Sequence, residues 1–201
     1  MEPHEIPLPD EVVATLEQLV EQARAAGDRE PTAMNLATVD GEGRVSARVV
    51  LLKSVAADGL RFFTNYTSAK AAALAAHPQA ALTFHWKALA EQVQARFEGV
   101  VVALPEADSD AYFATRARES QLGAWASLQS QALPDRAAFE RRYADFARRF
   151  EGAAVPRPPH WGGYRLRPDR VEFWYGARHR LHERIVHVLR GNAWQRGLLY
   201  P

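Results

Sequence analysis

Residues 91–104 read EQVQARFEGVVVAL. Val93, Ala95 and Phe97 alternate with Gln92, Gln94 and Arg96, so an extended chain here turns an apolar row to one side and a polar row to the other. That is the pattern of a half-buried strand. Strand signals continue on both sides of it. Upstream, AMNLATVD (33–40) and RVSARVVLLK (44–53) flank Gly41-Glu42-Gly43 and predict a hairpin. LRFFTN (60–65) follows a turn at Asp58-Gly59, and AALTFHW (80–86) comes next. Downstream, GYRLRP (163–168), VEFWYG (171–176) and HRLHERIVHVLR (179–190) predict three more strands before a short AWQRGLLYP (193–201).

Helices come in groups instead of alternating with these strands. Asp10 is placed to cap an amphipathic helix in which Val12, Val13, Leu16, Leu19, Val20 and Ala23 share a face and which Gly27 ends. TSAKAAALAAHP (67–78) reads as a short alanine-rich helix, and residues 106–127 as a helix in two pieces. In DRAAFERRYADFARRF (135–150), Phe139, Tyr143, Phe146 and Phe150 recur at helical spacing and are expected in the core. A proline-rich VPRPPHWGG (155–163) leads to the last strands. Antiparallel strands on short turns with segregated helices predict an α+β domain built on a small barrel over residues 31–201. A leader and amphipathic helix, residues 1–30, precede it.

Composition narrows the function classes. With 25 Lys plus Arg against 24 Asp plus Glu, the formal net charge is +1, so no global field draws nucleic acid or an anionic membrane and any basic site is local. The absence of cysteine excludes disulfides and thiolate metal sites. No apolar run reaches the roughly 18 residues of a membrane helix, and MEPHEIPLPD lacks the regions of a secretory signal. The expectation is a soluble cytoplasmic protein with no membrane partner.

Against that balance, residues 178–184, RHRLHER, crowd Arg178, His179, Arg180, His182 and Arg184 around one Leu181. Taken as a strand over 180–186, the stretch projects Arg180, His182 and Arg184 from one face. Such a row either blunts a sheet edge or binds an anion, for which the arginine fork is well shaped. The aromatic EFWYG beside it adds flat surfaces that suit a phosphorylated ring. Arg48 and Lys53 bracket an apolar run at an odd separation, which sends them to opposite faces of a regular strand. Thr64, Thr67, Ser68 and Lys70 stand where a helix begins, a place that caps the helix or favours an anion. Tyr112, Arg116 and Ser120 are four apart, on one face of a helix. The seven histidines show no metal-ligand spacing, and neither a GxSxG nor a glycine-rich phosphate loop is present. Anion clamps and aromatic walls without a nucleophile suggest a cofactor that carries the reaction.

In chain order, RVVLLK, FFTN, SAK, EQVQ, YFATRARESQLGAWASLQS, WGGYR, EFWYGARHRLHER and LYP together resemble the FMN-dependent pyridoxine/pyridoxamine 5'-phosphate oxidases, over about residues 31–201. The resemblance implies an antiparallel split β-barrel of Greek-key type with flanking helices, and a homodimer with FMN at its interface. It implies oxidation of pyridoxamine or pyridoxine 5'-phosphate to pyridoxal 5'-phosphate, with O2 as acceptor and hydrogen peroxide produced. Carried over to this chain, Arg48, Val49, Val50, Leu51, Leu52 and Lys53 line the flavin. Phe63, Thr64, Lys70, Gln92, Gln129, Ser130, Trp174 and Arg184 complete its site. Lys53, Tyr112, Arg116 and Ser120 clamp the substrate phosphate, while Arg180, Leu181 and His182 meet the substrate ring, with Arg180 and His182 in the catalytic roles. Two positions depart from the family: Ala69 stands where SRK is usual, and Phe63 where Tyr is usual.

Two other readings compete. An FMN oxidase of another substrate, such as a phenazine precursor, keeps the fold and changes the substrate. A nucleic-acid-binding barrel would stack bases on Phe62 and Trp174, and the balanced charge speaks against it.

Overall fold

The computed structural model describes residues 6–89 and 91–201; the first five residues of the expected leader lie outside that range. In chain order the elements are α1 (Asp10–Ala25), β1 (Ala33–Val39), β2 (Val45–Leu51), β3 (Ser54–Ala56), β4 (Gly59–Asn65), α2 (Ala69–Ala76) and β5 (Gln79–Trp86). There follow β6 (Val93–Ala103), α3 (Glu106–Ala114), α4 (Arg118–Ala126), α5 (Arg136–Arg149), β7 (Trp161–Tyr175), β8 (Glu183–Arg190) and β9 (Ala193–Leu199). None of these helices is long and apolar enough to cross a membrane.

The strands form one antiparallel sheet in the order β2-β1-β5-β6-β7-β4-β3, with β8 and then β9 attached to β7. β2 and β3 lie at opposite ends of this order, yet only Leu52 and Lys53 separate them. The sheet therefore has to curl until its ends meet. At the junction Leu52 N–H donates to the Thr32 carbonyl beside β1, and Lys53 N–H donates to the Arg61 carbonyl of β4, 2.9 Å each. One extended segment thus changes neighbours in mid-course, and the barrel is split there. Leu52 is buried in the barrel core and Lys53 is exposed.

β7 is a single strand of 15 residues, where the sequence predicted two. Pro168 explains both the expectation and the outcome. It has no N–H to give, but the register slips beside it: Glu98 faces Arg170 and Gly99 faces Pro168, so Asp169 is an extra residue that bulges β7 and absorbs the break. One edge of β7 then serves β4 along residues 161–166 and β8 along residues 170–175. The bulge depends on Gly99, because a Cβ there would lie 2.1 Å from the Arg167 carbonyl oxygen and 2.7 Å from Pro168 Cα.

Met34, Leu36, Leu60, Phe62, Leu82, Phe84, Phe97 and Leu166 fill the barrel, each at most 1% exposed. Val12, Leu16, Leu19, Val20 and Ala23 of α1 belong to the same core. Two polar ties hold the α1 end against the last hairpin: His187 Nε2 lies 2.9 Å from Glu11 Oε1, and Trp194 Nε1 donates to the Pro7 carbonyl. Asp10 does not cap α1; it is the first helical residue, Pro9 holds the cap position, and no side chain closes that end. Phe62 is wholly inside, which removes it as a platform for stacking bases. Of the four aromatics expected in the core, Phe150, just past α5, is buried, while Phe139, Tyr143 and Phe146 are a second correction. No residue of that helix is buried; Tyr143 and Phe146 are only partly covered, against a small separate cluster of Phe113, Leu122, Phe150, Val155 and Trp161.

Replacing Gly99 by alanine is expected to lower stability by about 1–3 kcal/mol or more through the backbone clash. Gly41→Ala, whose Cβ meets only Ala76 at 3.7 Å, is expected to stay within about 0.5 kcal/mol of wild type. Thermal and urea denaturation of the two variants measure the difference.

Candidate functional site

The split of the barrel opens into a cleft of about 460 Å³. Val49, Val50, Leu51 and Lys53 form one wall, Phe63 and Thr64 of β4 the floor, and Lys70, Gln129, Tyr112, Arg116, Ser120 and Trp161 the rest. Register explains the floor. Phe63 faces Gly163 across β4 and β7, and a Cβ on Gly163 would come 2.7 Å from the Phe63 ring, so glycine is what lets the ring lie over β7. Tyr112 stacks on Phe63 at 4.0 Å, and Phe63 on Trp161 at 5.4 Å. The Arg116 guanidinium caps this ladder 4.6 Å from the Trp161 ring, a cation on a π face.

Tyr112, Arg116 and Ser120 converge as expected, but not on one helix. The helix stops at Ala114 and restarts at Arg118, and Arg116 lies in the link. Arg116 Nη1 is buried and has no hydrogen-bond partner. Burial pulls the arginine's pKa below its ordinary value, only partly offset by Tyr112. A desolvated donor without an acceptor is costly by itself and is satisfied by an anion.

Lys70 lies deeper in the same cleft. Its Nζ donates to Gln129 Oε1 at 2.6 Å, to Thr64 Oγ1 at 3.0 Å and to Ser68 Oγ at 3.1 Å. Burial first, and then the charge of Arg48, pull its pKa from 10.5 to about 8. Ser68 also caps α2, its hydroxyl accepting from Ala71 N–H. Ser130 Oγ accepts from Ala69 N–H, which brings the loop after α4 against this helix start.

The other expected residues are engaged differently or line another cleft. The Arg48 guanidinium is turned onto the barrel wall, donating to the Leu36 carbonyl at 3.0 Å and to Thr38 Oγ1 at 2.7 Å, with Ser46 as a further partner. Because β2 ends at Leu51, Arg48 and Lys53 do not share a regular strand, and the opposite-face argument does not apply to them. Gln92 pairs with His85 at 3.0 Å. Trp174, His182 and Arg184 line another cleft, of about 350 Å³, with Gln94, Arg96, Glu172 and Pro201.

The stretch 180–186 is not a continuous strand. Arg178–Leu181 make a tight turn, closed by Leu181 N–H donating to the Arg178 carbonyl at 3.2 Å with His179 and Arg180 at positive φ, and β8 begins only at Glu183. Arg180 is therefore aimed by the turn and not by strand alternation. His182 lies against Trp174, ring centroids 4.5 Å apart, and its Nδ1 accepts from Ala177 N–H at 3.1 Å. That bond leaves the proton of the neutral imidazole on Nε2. The non-glycine residues with positive φ among those described are Gln92, Ser130, His179 and Arg180; three of the four are expected ligands and the fourth adjoins one. Each such conformation costs on the order of 1–3 kcal/mol, and strain of this kind gathers at functional sites.

Residues 19–150 match the family described as pyridoxamine 5'-phosphate oxidase. The chain belongs to the pyridoxamine 5'-phosphate oxidase family. It is accordingly an enzyme of the oxidase class, and residues 161–201 match the region described as the C-terminal dimerisation region of pyridoxine 5'-phosphate oxidase. The pyridoxine/pyridoxamine 5'-phosphate oxidase of Myxococcus xanthus is 48% identical over 98% of this chain and 95% of its own length. That of Anaeromyxobacter dehalogenans is 51% identical over 94% of each. Among solved structures, PhzG of Burkholderia lata, in complex with tetrahydrophenazine-1-carboxylic acid, superposes with a TM-score of 0.89 at 33% identity, covering 100% of this chain and 97% of that one. An FMN-binding protein of Nostoc punctiforme related to the oxidases shares the fold, with a TM-score of 0.71 at 18% identity over 98% and 100% of the two chains. The expected split barrel thus holds.

Sequence reasoning missed Trp161 as a member of the site. The signal was present in WGG, where two glycines after an aromatic residue clear space on one strand for rings from another.

Trp161→Ala is expected to cost about 3–5 kcal/mol by emptying a buried ring site. Arg116→Ala is expected to cost less, about 0.5–2 kcal/mol for the cation–π contact with Trp161, because its buried nitrogen has no hydrogen-bond partner to lose. Chemical denaturation of both variants decides whether Arg116 is held for binding and not for folding.

Proposed function

We propose that the protein oxidises pyridoxamine or pyridoxine 5'-phosphate to pyridoxal 5'-phosphate with FMN as cofactor and O2 as final acceptor, releasing hydrogen peroxide. One observation carries the reading: the buried, partnerless Nη1 of Arg116, placed over Trp161 beside Lys53, Tyr112 and Ser120. Two cations and two hydroxyls around a desolvated donor suit a phosphate dianion. Lys70, Thr64, Gln129 and Ser130 would hold the cofactor through the second group of donors, at the start of α2. Bound FMN would supply the two-electron acceptor for the substrate C4' carbon.

The chain's own tasks are binding and orientation. Fixing each phosphate tail would set the register of the two rings and convert binding energy into proximity. Arg180, presented by its left-handed turn, would press on the substrate ring. His182 holds a proton at Nε2 and would donate it as a hydrogen bond toward the substrate.

Geometry also favours two copies acting together. Phe63 pairs with Gly163 and Gln94 with Trp174, so the two clefts are marked by positions eleven residues apart on β7, about 36 Å of strand at about 3.3 Å per residue. A cofactor touching both groups of residues is best served by the cleft at the split of one subunit and the Trp174–Arg184 cleft of another. Val45 and Val49 on β2 and Leu198 and Tyr200 at the β9 end expose apolar side chains suited to such a contact.

The likeness to PhzG makes oxidation of a tetrahydrophenazine carboxylic acid the competing reading. Relatives about half identical along nearly the full chain, all named for the phosphorylated substrate, favour the first.

Incubation with FMN and pyridoxamine 5'-phosphate in air is expected to yield the aldehyde and peroxide, with tetrahydrophenazine-1-carboxylic acid as the competing substrate; turnover of the latter alone overturns the assignment. Arg116→Ala is expected to raise KM about tenfold or more with little loss of FMN, and Arg180→Ala to lower kcat/KM strongly. Lys70 predicts a pH dependence. Its charged form, which an anion needs, is lost as pH rises through about 8 in the free protein, and a bound phosphate would raise that pKa. The Kd for FMN should therefore be flat below about pH 8 and climb above it, approaching tenfold per unit. Lys70→Gln should flatten that climb in a fluorescence titration.

A further inference from the structure

Glu172 is the only carboxylate among the described residues that is buried, with a side chain 6% exposed. Sheet register places it. Arg96 faces Glu172 across β6 and β7, and Arg184 faces Trp174, two residues further along the same face of β7. Three guanidinium groups consequently surround one carboxylate. Arg184 Nε donates to Oε1 at 2.7 Å, Arg96 Nη2 donates to Oε2 at 2.8 Å, and Arg170 Nη2 lies 3.6 Å from Oε2. Arg184 is held a second time by the Tyr200 carbonyl, which accepts from Nη1 at 3.1 Å. Its Nη2 makes no hydrogen bond among the described residues.

Charge alone gives no reason for a carboxylate here. It opposes the binding of an anion beside Arg184, and burying it carries a desolvation cost. Burial raises the Glu172 pKa, but the hydrogen bond from Arg184 and the charges of Arg96, Arg184 and Arg170 outweigh it, and the net shift is downward. The group therefore stays ionised. What the carboxylate supplies is direction: a free arginine side chain loses rotamer entropy when a ligand orders it, and one already held loses less.

We propose that Glu172 is a positioning residue for the cofactor, fixing the Arg184 guanidinium through Nε so that Nη2 faces the bound flavin. The inference rests on the reading that Arg184 contacts FMN, and the test separates the two.

Apo protein is titrated with FMN, following flavin fluorescence, for wild type, Glu172→Gln, Arg184→Ala and the double variant. Glu172→Gln is expected to raise Kd about tenfold, and the double variant to bind no more weakly than Arg184→Ala, as required if Glu172 acts through Arg184. At saturating FMN the visible spectrum of Glu172→Gln should resemble that of Arg184→Ala. Glu98→Gln, which removes a carboxylate 2.7 Å from Arg96 without touching Arg184, should leave Kd unchanged. An unchanged or lower Kd in Glu172→Gln, or additive losses in the double variant, overturns the inference and leaves the flavin reading standing. An unchanged Kd in Arg184→Ala overturns the flavin contact, and the inference with it. Should Glu172→Gln not fold, Glu172→Asp keeps the charge and withdraws it by one methylene; weaker FMN binding supports the positioning role, and unchanged binding overturns it.

Discussion

Two residues, Leu52 and Lys53, carry the constraint on which the fold and the site both depend. A segment that begins by pairing with β1 ends by pairing with β4, and two residues are too few for any path but a closed curl of the sheet. Alternation then gives the junction its two roles. Leu52 points into the barrel core and Lys53 out into the cleft. Around that opening the chain gathers cations that are distant in sequence: Lys53 from the junction, Lys70 from α2 and Arg116 from the link between α3 and α4. A protein of nearly zero net charge thereby builds a strongly basic site through folding alone.

How much of this was legible depended on whether local pattern or distant contact decided each element. The alternation in residues 91–104 marked which face of β6 is dry, and the same face logic extends to Glu172, Trp174 and Arg184, which share the wet side of the sheet with Gln94 and Arg96. The hairpin around Gly43, the two-part helix and the α2 cap were local signals and emerged where expected. Elements decided by remote partners were not readable. The continuity of β7 through Pro168 depends on a bulge at Asp169 for which a glycine in the neighbouring strand, Gly99, leaves room. The turn at Arg178–Arg180 places two non-glycine residues at positive φ, a conformation that local preference opposes, so a strand was the natural reading there. The candidate site was expected as one set of residues through family resemblance, whereas the division of that set between two clefts on one chain had no sequence signature.

The same residues that are hard to read locally are costly to keep. Left-handed Gln92, Ser130, His179 and Arg180, the partnerless Nη1 of Arg116 and the desolvated ammonium of Lys70 all work against the free folded chain. Three of them are tied to the framework: Gly176 N–H donates to the Gln92 carbonyl at 2.9 Å, Ser130 is bound to the start of α2, and Arg116 lies on the Trp161 ladder. A barrel whose interior is filled to within 1% exposure at eight large side chains supplies the surplus stability that such sites draw on. Strain and missing partners concentrated at the clefts, with a saturated core behind them, are what physical chemistry would require under the proposed function, in which the chain holds two charged, flat molecules in one fixed relation. A more relaxed arrangement would satisfy the free chain and leave less to be gained from the ligands.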